Sequence, residues 1–473
     1  MTLFETPIIP INQIYYHNQT NDIIDWKTNY KNSLDFQAIA SFCALGFMLD
    51  DDTFYQNIKV IHPSTQVTLN DGKIIKRKKK WNWNYNPSND SFNNVVEDFS
   101  SIFKKSIIEQ TENKKILLPI SGGLDSRTLL IPIKDKSKII MSSYKFENGF
   151  DETYYGKEIA SRLKIPIHTQ NIPKGYIWNK IHKLDKITNC FSEFTHPRQL
   201  AAIDNWKSLG DVVLLGHMGD LLFESQCDNV DLSFERQLEL LSNKIIEPGG
   251  TLLAEDLWSY WDLNGKFGSY INDRLYKLFS NIKIDHPSAK IRAFKSQYYV
   301  PRMTSVNLSF FEQIGNLILP YYQDEMCKFI SRTPEVFLKS RKIQIEYIKT
   351  FSPELAQIPW QKFHPLNLYN YQNFNQPYYY LIRIFRKVKR LLSSYIFNTP
   401  NLVIRNWELQ FLGTNNIYEL EKILLKKSGA NKYLPLKIVR NYLENFKKNP
   451  IKYAHSISML LTITIFFNNH ISE

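Results

Sequence analysis

The apolar run Lys115–Ile120 passes directly into Ser121-Gly122-Gly123-Leu124-Asp125-Ser126, and no other stretch constrains the chain as tightly. A buried strand must end where this polar loop starts, and a helix is expected to begin near Asp125. Glycines let the backbone approach a ligand without Cβ clashes, and loop amides at a helix start attract phosphate oxygens. Ser121, Gly122, Gly123, Leu124, Asp125 and Ser126 are therefore read as a cradle for ATP or pyrophosphate. It is not a Walker A loop, because the GxxxxGK[ST] spacing and its lysine are absent. A carboxylate at Asp125 would repel phosphates unless Mg²⁺ lay between them, so the loop implies that metal.

Around the loop, strand-length apolar runs recur at Lys138–Tyr144, Pro166–Ile172 and Asp211–Gly216, separated by helical patterns at Thr153–Leu163 and Pro197–Leu209. That alternation predicts an α/β fold, a parallel sheet with helices on both faces, whose ligands bind beyond the strand C-termini. Upstream, turn signals at Asp50-Asp51-Asp52 and Asn70-Asp71-Gly72, with alternation over Thr65–Leu69, predict a small β-rich module. Downstream, apolar residues at 381, 384, 385, 388 and 391 follow helical spacing between arginines and lysines. This amphipathic 381–391 segment either docks on the core or touches an anionic membrane surface or a partner. The expected division is 1–95 (β-rich), 96–370 (ATP-binding) and 371–473 (mostly helical extension). No fixed-period repeat suggests a solenoid or propeller.

Composition narrows the classes further. A chain of 473 residues, 43% hydrophobic and 14% aromatic, is expected to fold throughout. Its four cysteines, at 43, 190, 227 and 327, stand singly without CxxC pairs, and are read as reduced thiols. The start MTLFETPIIPINQ lacks a charged region followed by an apolar one, so a cytoplasmic location is expected. The run Ile457–Phe467 is shorter than the ~20 residues of a membrane-spanning helix and is read as a buried strand or helix. The net charge of +13 resides largely in Asn-, Ile- and Lys-rich stretches, which weighs against nucleic acid as the partner.

At the hexamer the sequence resembles the PP-loop ATP pyrophosphatases, which cleave ATP between the α and β phosphates, and among them most closely the asparagine synthetase family. Val213-Leu214-Leu215-Gly216-His217-Met218-Gly219-Asp220-Leu221-Leu222-Phe223 is similar to that family's strand and GEGxDExF block. The resemblance implies that Gly216 neighbours the nucleotide and that Asp220 is the second magnesium-binding aspartate; alone, such an aspartate reads as a helix N-cap. Leu319–Glu325 resembles the VPFLD block, and Leu355–Lys362 the later block that ends in a catalytic lysine. Lys362 is thereby implied to stabilise developing negative charge, whereas in isolation it reads as a surface lysine. Residues 45–73 are similar to the end of the family's glutaminase domain, so the likeness spans roughly residues 40–365.

The resemblance implies a ligase that activates a carboxylate as its acyl-adenylate, releases AMP and pyrophosphate, and delivers the acyl group to ammonia or an amine. ATP and Mg²⁺ would be its cofactors, Asp125 and Asp220 the metal ligands, and Ser143 an adenine or ribose neighbour. The family's ring-closing relatives, which make β-lactams and lasso peptides, widen the substrate to peptide carboxylates. Thr2 follows Met1 where the family's glutaminase needs a cysteine, so glutamine hydrolysis is not expected and a separate glutaminase is a candidate ammonia source.

Four departures accompany the match. Arg127 replaces a small residue, Pro132 interrupts the helix after the loop, Gln323 replaces the aspartate of VPFLD, and His217 takes a glutamate's slot. His217 reads equally as a general base toward an amine or as a lost glutamate. Two alternatives stand beside the ligase: a catalytically degenerate nucleotide- or partner-binding member, and a tRNA-modifying PP-loop enzyme, which the blocks at 213–223 and 355–362 disfavour.

Overall fold

The computed structural model describes residues 1–26, 33–147, 149–381, 384, 388 and 410–471; most of the expected 381–391 helix lies outside the described residues. The N-terminal strands are β1 (Thr2–Glu5), β2 (Tyr15–His17), β3 (Ile23–Ile24), β4 (Ile58–Val60), β5 (Thr65–Asn70) and β6 (Lys73–Lys79). They form two antiparallel sheets, ordered β1-β5-β6 and β3-β2-β4. Asp71 and Gly72, both at positive φ, make the tight β5–β6 turn announced by Asn-Asp-Gly. The β-rich reading missed the helix Phe36–Leu45, whose residues Ala38 to Leu45 are all buried. A helix covered on every side has no polar stripe, and so no amphipathic signature.

The central sheet comprises β7 (Ile116–Pro119), β8 (Ile139–Phe146), β9 (Ile167–Ile172), β10 (Val212–Leu214) and β11 (Asn316–Ile318). It is parallel throughout, in the order β11-β10-β7-β8-β9. Four of these strands lie where the apolar runs predict them, because strands buried in a parallel sheet need no polar alternation. From β7 the chain moves one way to β8 and β9, then returns to place β10 on the other flank of β7. The strand order therefore reverses between β7 and β10. At such a switch point the loops leaving two adjacent strands diverge and open a crevice beyond their C-terminal ends.

The helix Thr153–Leu163 forms as predicted and packs on β8 and β9. The expected helix over Pro197–Leu209 instead divides into a 3-10 turn, Arg198–Ala201, and a short helix, Ile203–Trp206. Ala202 N–H donates to the Gln199 carbonyl at 2.9 Å, closing the first turn with 3-10 spacing, and the fully buried Trp206 anchors the second.

The C-terminal region contributes the helices Thr414–Leu424, Leu436–Lys448 and Pro450–Asn469. The last is the one described helix long and apolar enough to cross a membrane, but 72% of its apolar window is buried inside the protein. His455 Nε2 lies 2.9 Å from the Cys43 carbonyl, Ser456 donates to the Gly249 carbonyl, and Thr462 Oγ1 accepts from Phe194 N–H. The Phe466 ring stacks on Phe54. One continuous apolar core consequently runs from Ile8 to Phe467.

Candidate functional site

Beyond β7 and β10 lies a cavity of about 520 Å³. Seven of the sequence-predicted residues line it: Ser121, Asp125, Ser126, Ser143, Gly216, His217 and Asp220. A second lobe of about 630 Å³ shares Asp125, Asp220 and Lys295 with the first and is lined by Gly123 and Lys362. Leu124 lines neither; its side chain belongs to the core and its carbonyl accepts from Thr128 N–H at 2.8 Å.

The loop is held from within. Ser121 N–H donates to Ser126 Oγ at 3.2 Å, and Gly123 N–H to Ser121 Oγ at 3.3 Å. Close approach requires glycine at Gly122 in the loop and at Gly216 beside it. A Cβ on Gly122 would lie 2.6 Å from Gln361 Cβ and 2.7 Å from the Tyr155 ring, and one on Gly216 would lie 2.9 Å from Ser126 N. The helix after the loop is only five residues, Asp125–Leu129, and Pro132, which has no N–H to continue the ladder, follows closely.

Arg127, a departure from the family pattern, has a structural purpose. It is wholly buried, and its guanidinium donates to the carbonyls of Leu355, Ile358 and Pro359 at 3.0–3.1 Å. Burial pulls its pKa down to about 10, which leaves it cationic at neutral pH. These bonds fix the 355–362 block over the loop, where Gln361 N–H donates to the Gly122 carbonyl at 3.2 Å. Lys362 thereby reaches the second lobe. Its ammonium is largely exposed, 3.7 Å from Glu224.

The two aspartates occupy different settings. Asp125 Oδ1 accepts from Gln344 Nε2 at 3.0 Å and from Arg341 Nη2. Gln344 also donates to Tyr321 Oη at 2.9 Å, so the 319–325 block reaches the loop through that tyrosine. Asp220 follows Met218, which holds φ 74, and its Oδ1 accepts from Leu221 N–H at 2.9 Å. A buried Arg292–Glu335 ion pair supports this segment, Arg292 donating to the carbonyls of Leu221 and Glu224. The Oδ2 atoms of Asp125 and Asp220 have no hydrogen bond to protein among the described residues. That donor set fits Mg²⁺, which takes one or two carboxylates and completes its shell with water and phosphate oxygens.

Polar atoms without partners mark the first lobe. Ser142 Oγ, Ser143 Oγ and His217 Nδ1 are buried there without a hydrogen bond among the described residues, the kind of group that a bound molecule can satisfy. Their mixture of donors and acceptors suits a base and ribose, and the glycine-lined loop beside them suits phosphates. Burial, reinforced by the Arg198 charge, lowers the His217 pKa to about 4, so its ring is neutral at pH 7 and a weak base. Lys295, on the π-helix Lys295–Thr304, faces both lobes; burial lowers its pKa while Asp220 opposes that shift.

Arg341, Gln344, Lys295 and Arg198 were not singled out from the sequence. Each is one polar residue on a helix or turn, and nothing in spacing separates such a residue from a solvated one. The chain matches no known protein-family model and no curated protein.

Proposed function

We propose that the chain is an ATP-dependent carbon–nitrogen ligase of the asparagine synthetase kind, activating a carboxylate by adenylation and passing the acyl group to ammonia or an amine. The observation that carries this reading is convergence. Four blocks far apart in sequence, 121–126, 216–220, 341–344 and 355–362, meet at one topological switch point around Asp125. A phosphate loop alone has many uses, but a loop joined to a second aspartate and a lysine-bearing strap matches the division of labour that adenylation requires.

In this reading Ser142, Ser143 and His217 hold the base and ribose, the Ser121–Ser126 loop holds the phosphates, and Asp125 and Asp220 hold magnesium. ATP supplies the activating nucleotide, and the metal neutralises phosphate charge. Lys295, Arg341 and Lys362 add fixed positive charge around the second lobe, where the leaving pyrophosphate and acyl group acquire negative charge. His217, neutral at pH 7, serves as a hydrogen-bonding group rather than as a charge. Glu224, which accepts from Ser340 N–H at 2.8 Å, orients Lys362.

One observation favours a second reading, a member that binds nucleotide without turnover. The Arg341 guanidinium already pairs with Asp125 through Oδ1, offsetting the carboxylate charge that a metal would need. Pyrophosphate release from Mg-ATP, screened over carboxylates with ammonia and amines, separates the two. The ligase requires release that depends on a carboxylate and disappears in Asp125→Asn; ATP binding without release under every combination supports the non-catalytic reading.

A further inference from the structure

Remote from the cavity, the helix Ile181–Thr188 ends against the last turn of the helix Pro450–Asn469, and three side chains of metal-ligating type meet there. Asp185 Oδ1, Cys190 Sγ and His470 Nε2 all lie within 4.8 Å of one another. Asp185 Oδ1 is 3.3 Å from the sulfur and 2.6 Å from the imidazole nitrogen, and its Oδ2 accepts from Asn469 Nδ2 at 2.8 Å. Asp185 and Cys190 are buried, while His470 is partly open to solvent. Zinc binds carboxylate oxygen and imidazole nitrogen at about 2.0–2.2 Å and thiolate sulfur at about 2.3 Å, so ligands of one tetrahedral ion stand roughly 3.3–3.6 Å apart. The two spacings from Asp185 Oδ1 need shifts of under about an ångström to meet that geometry.

We propose that Asp185, Cys190 and His470 hold a zinc ion that ties these segments together, with water at its open face as the fourth ligand. A hydrogen-bonded network alone would satisfy Asp185, yet it leaves a thiol fully buried against a carboxylate. Burial first, and then that carboxylate, hold the thiol protonated. A divalent cation reverses this: it takes the thiolate, the thiol proton passes to solvent, and the sulfur and carboxylate become co-ligands instead of adjacent acids. The site would join the segment after the helix Ile181–Thr188 to the end of the C-terminal helix. Asn469 would support the ligating carboxylate, as outer partners of metal ligands do. The lack of CxxC pairs does not oppose this, because two of the three ligands come from positions five residues apart and the third from the far end of the chain.

The test uses the full chain stripped of metal and titrated with Co²⁺ and then Zn²⁺. The expected result is a thiolate-to-cobalt absorption band saturating at one ion per chain, discharged by Zn²⁺, and a Zn²⁺-dependent rise in melting temperature. Cys190→Ser removes the band and His470→Gln weakens or removes it, while Cys227→Ser, at a thiol outside the cluster, leaves both band and shift intact. Should Cys190→Ser fail to fold, the His470→Gln chain and the wild-type titration still decide. Wild-type protein with no cobalt–thiolate band and no melting shift overturns the proposal, as does a band that survives Cys190→Ser.

Discussion

His217 shows what a residue in an unexpected slot does once its surroundings are known. Its folded pKa of about 4 lies below the usual 6.5, because burial, helped by Arg198, penalises the charged ring. A group depressed in this way contributes stability above pH 6.5 that is lost as the pH falls toward 4, since the unfolded chain takes up the proton first. The full loss amounts to about 3 kcal/mol. Urea unfolding of His217→Gln across this window should therefore show a shallower decline than wild type, though not a flat one, because His196 is depressed to about 3 in the same fashion. An unchanged slope would mean that the ring is not buried as described. The sequence identified the position but not its environment. The depression is set first by burial, to which packing near Phe311 belongs, and then by Arg198, 19 residues upstream.

At the scale of elements, Arg127 couples a five-residue helix to the strap that carries Lys362. Truncation to alanine leaves three inward carbonyls without donors and a cavity between loop and strap. Arg127→Ala is expected to cost about 3–4 kcal/mol in urea unfolding, and to weaken ATP binding measured calorimetrically. A variant that loses stability but binds ATP as wild type would separate the strap from the proposed nucleotide site. The strands of the central sheet could be read because each is a short apolar run bounded by polar punctuation. The helix Phe36–Leu45 could not, since uniform burial erases periodicity. The turn Arg198–Ala201 lay inside a pattern that also suits an unbroken helix, and only the tertiary packing of Trp206 selects the broken form. Arg127 was noticed as an anomaly, but its partners lie 228 residues or more downstream, beyond any local pattern.

For the whole molecule, the division into 1–95, 96–370 and 371–473 describes the sequence better than the packing, because one core joins residues from Ile8 to Phe467, while a small cluster of Tyr16, Ile61, Val67 and Ile74 packs apart under the first sheet. Phe466→Ala should accordingly cost about 3–5 kcal/mol and shift a single cooperative transition, followed together by near-ultraviolet and far-ultraviolet dichroism. Two separated transitions would reveal a C-terminal unit that melts by itself. The same continuity has a consequence for synthesis. Cys43 and His455 stand 412 residues apart in the chain, and at translation rates of about 5–20 residues per second the interval between their emergence is roughly 20–80 s. For that time the apolar helix Phe36–Leu45 waits on the ribosome without its final cover, so the nascent chain is a natural client for a chaperone that shields apolar surface until the last helix arrives.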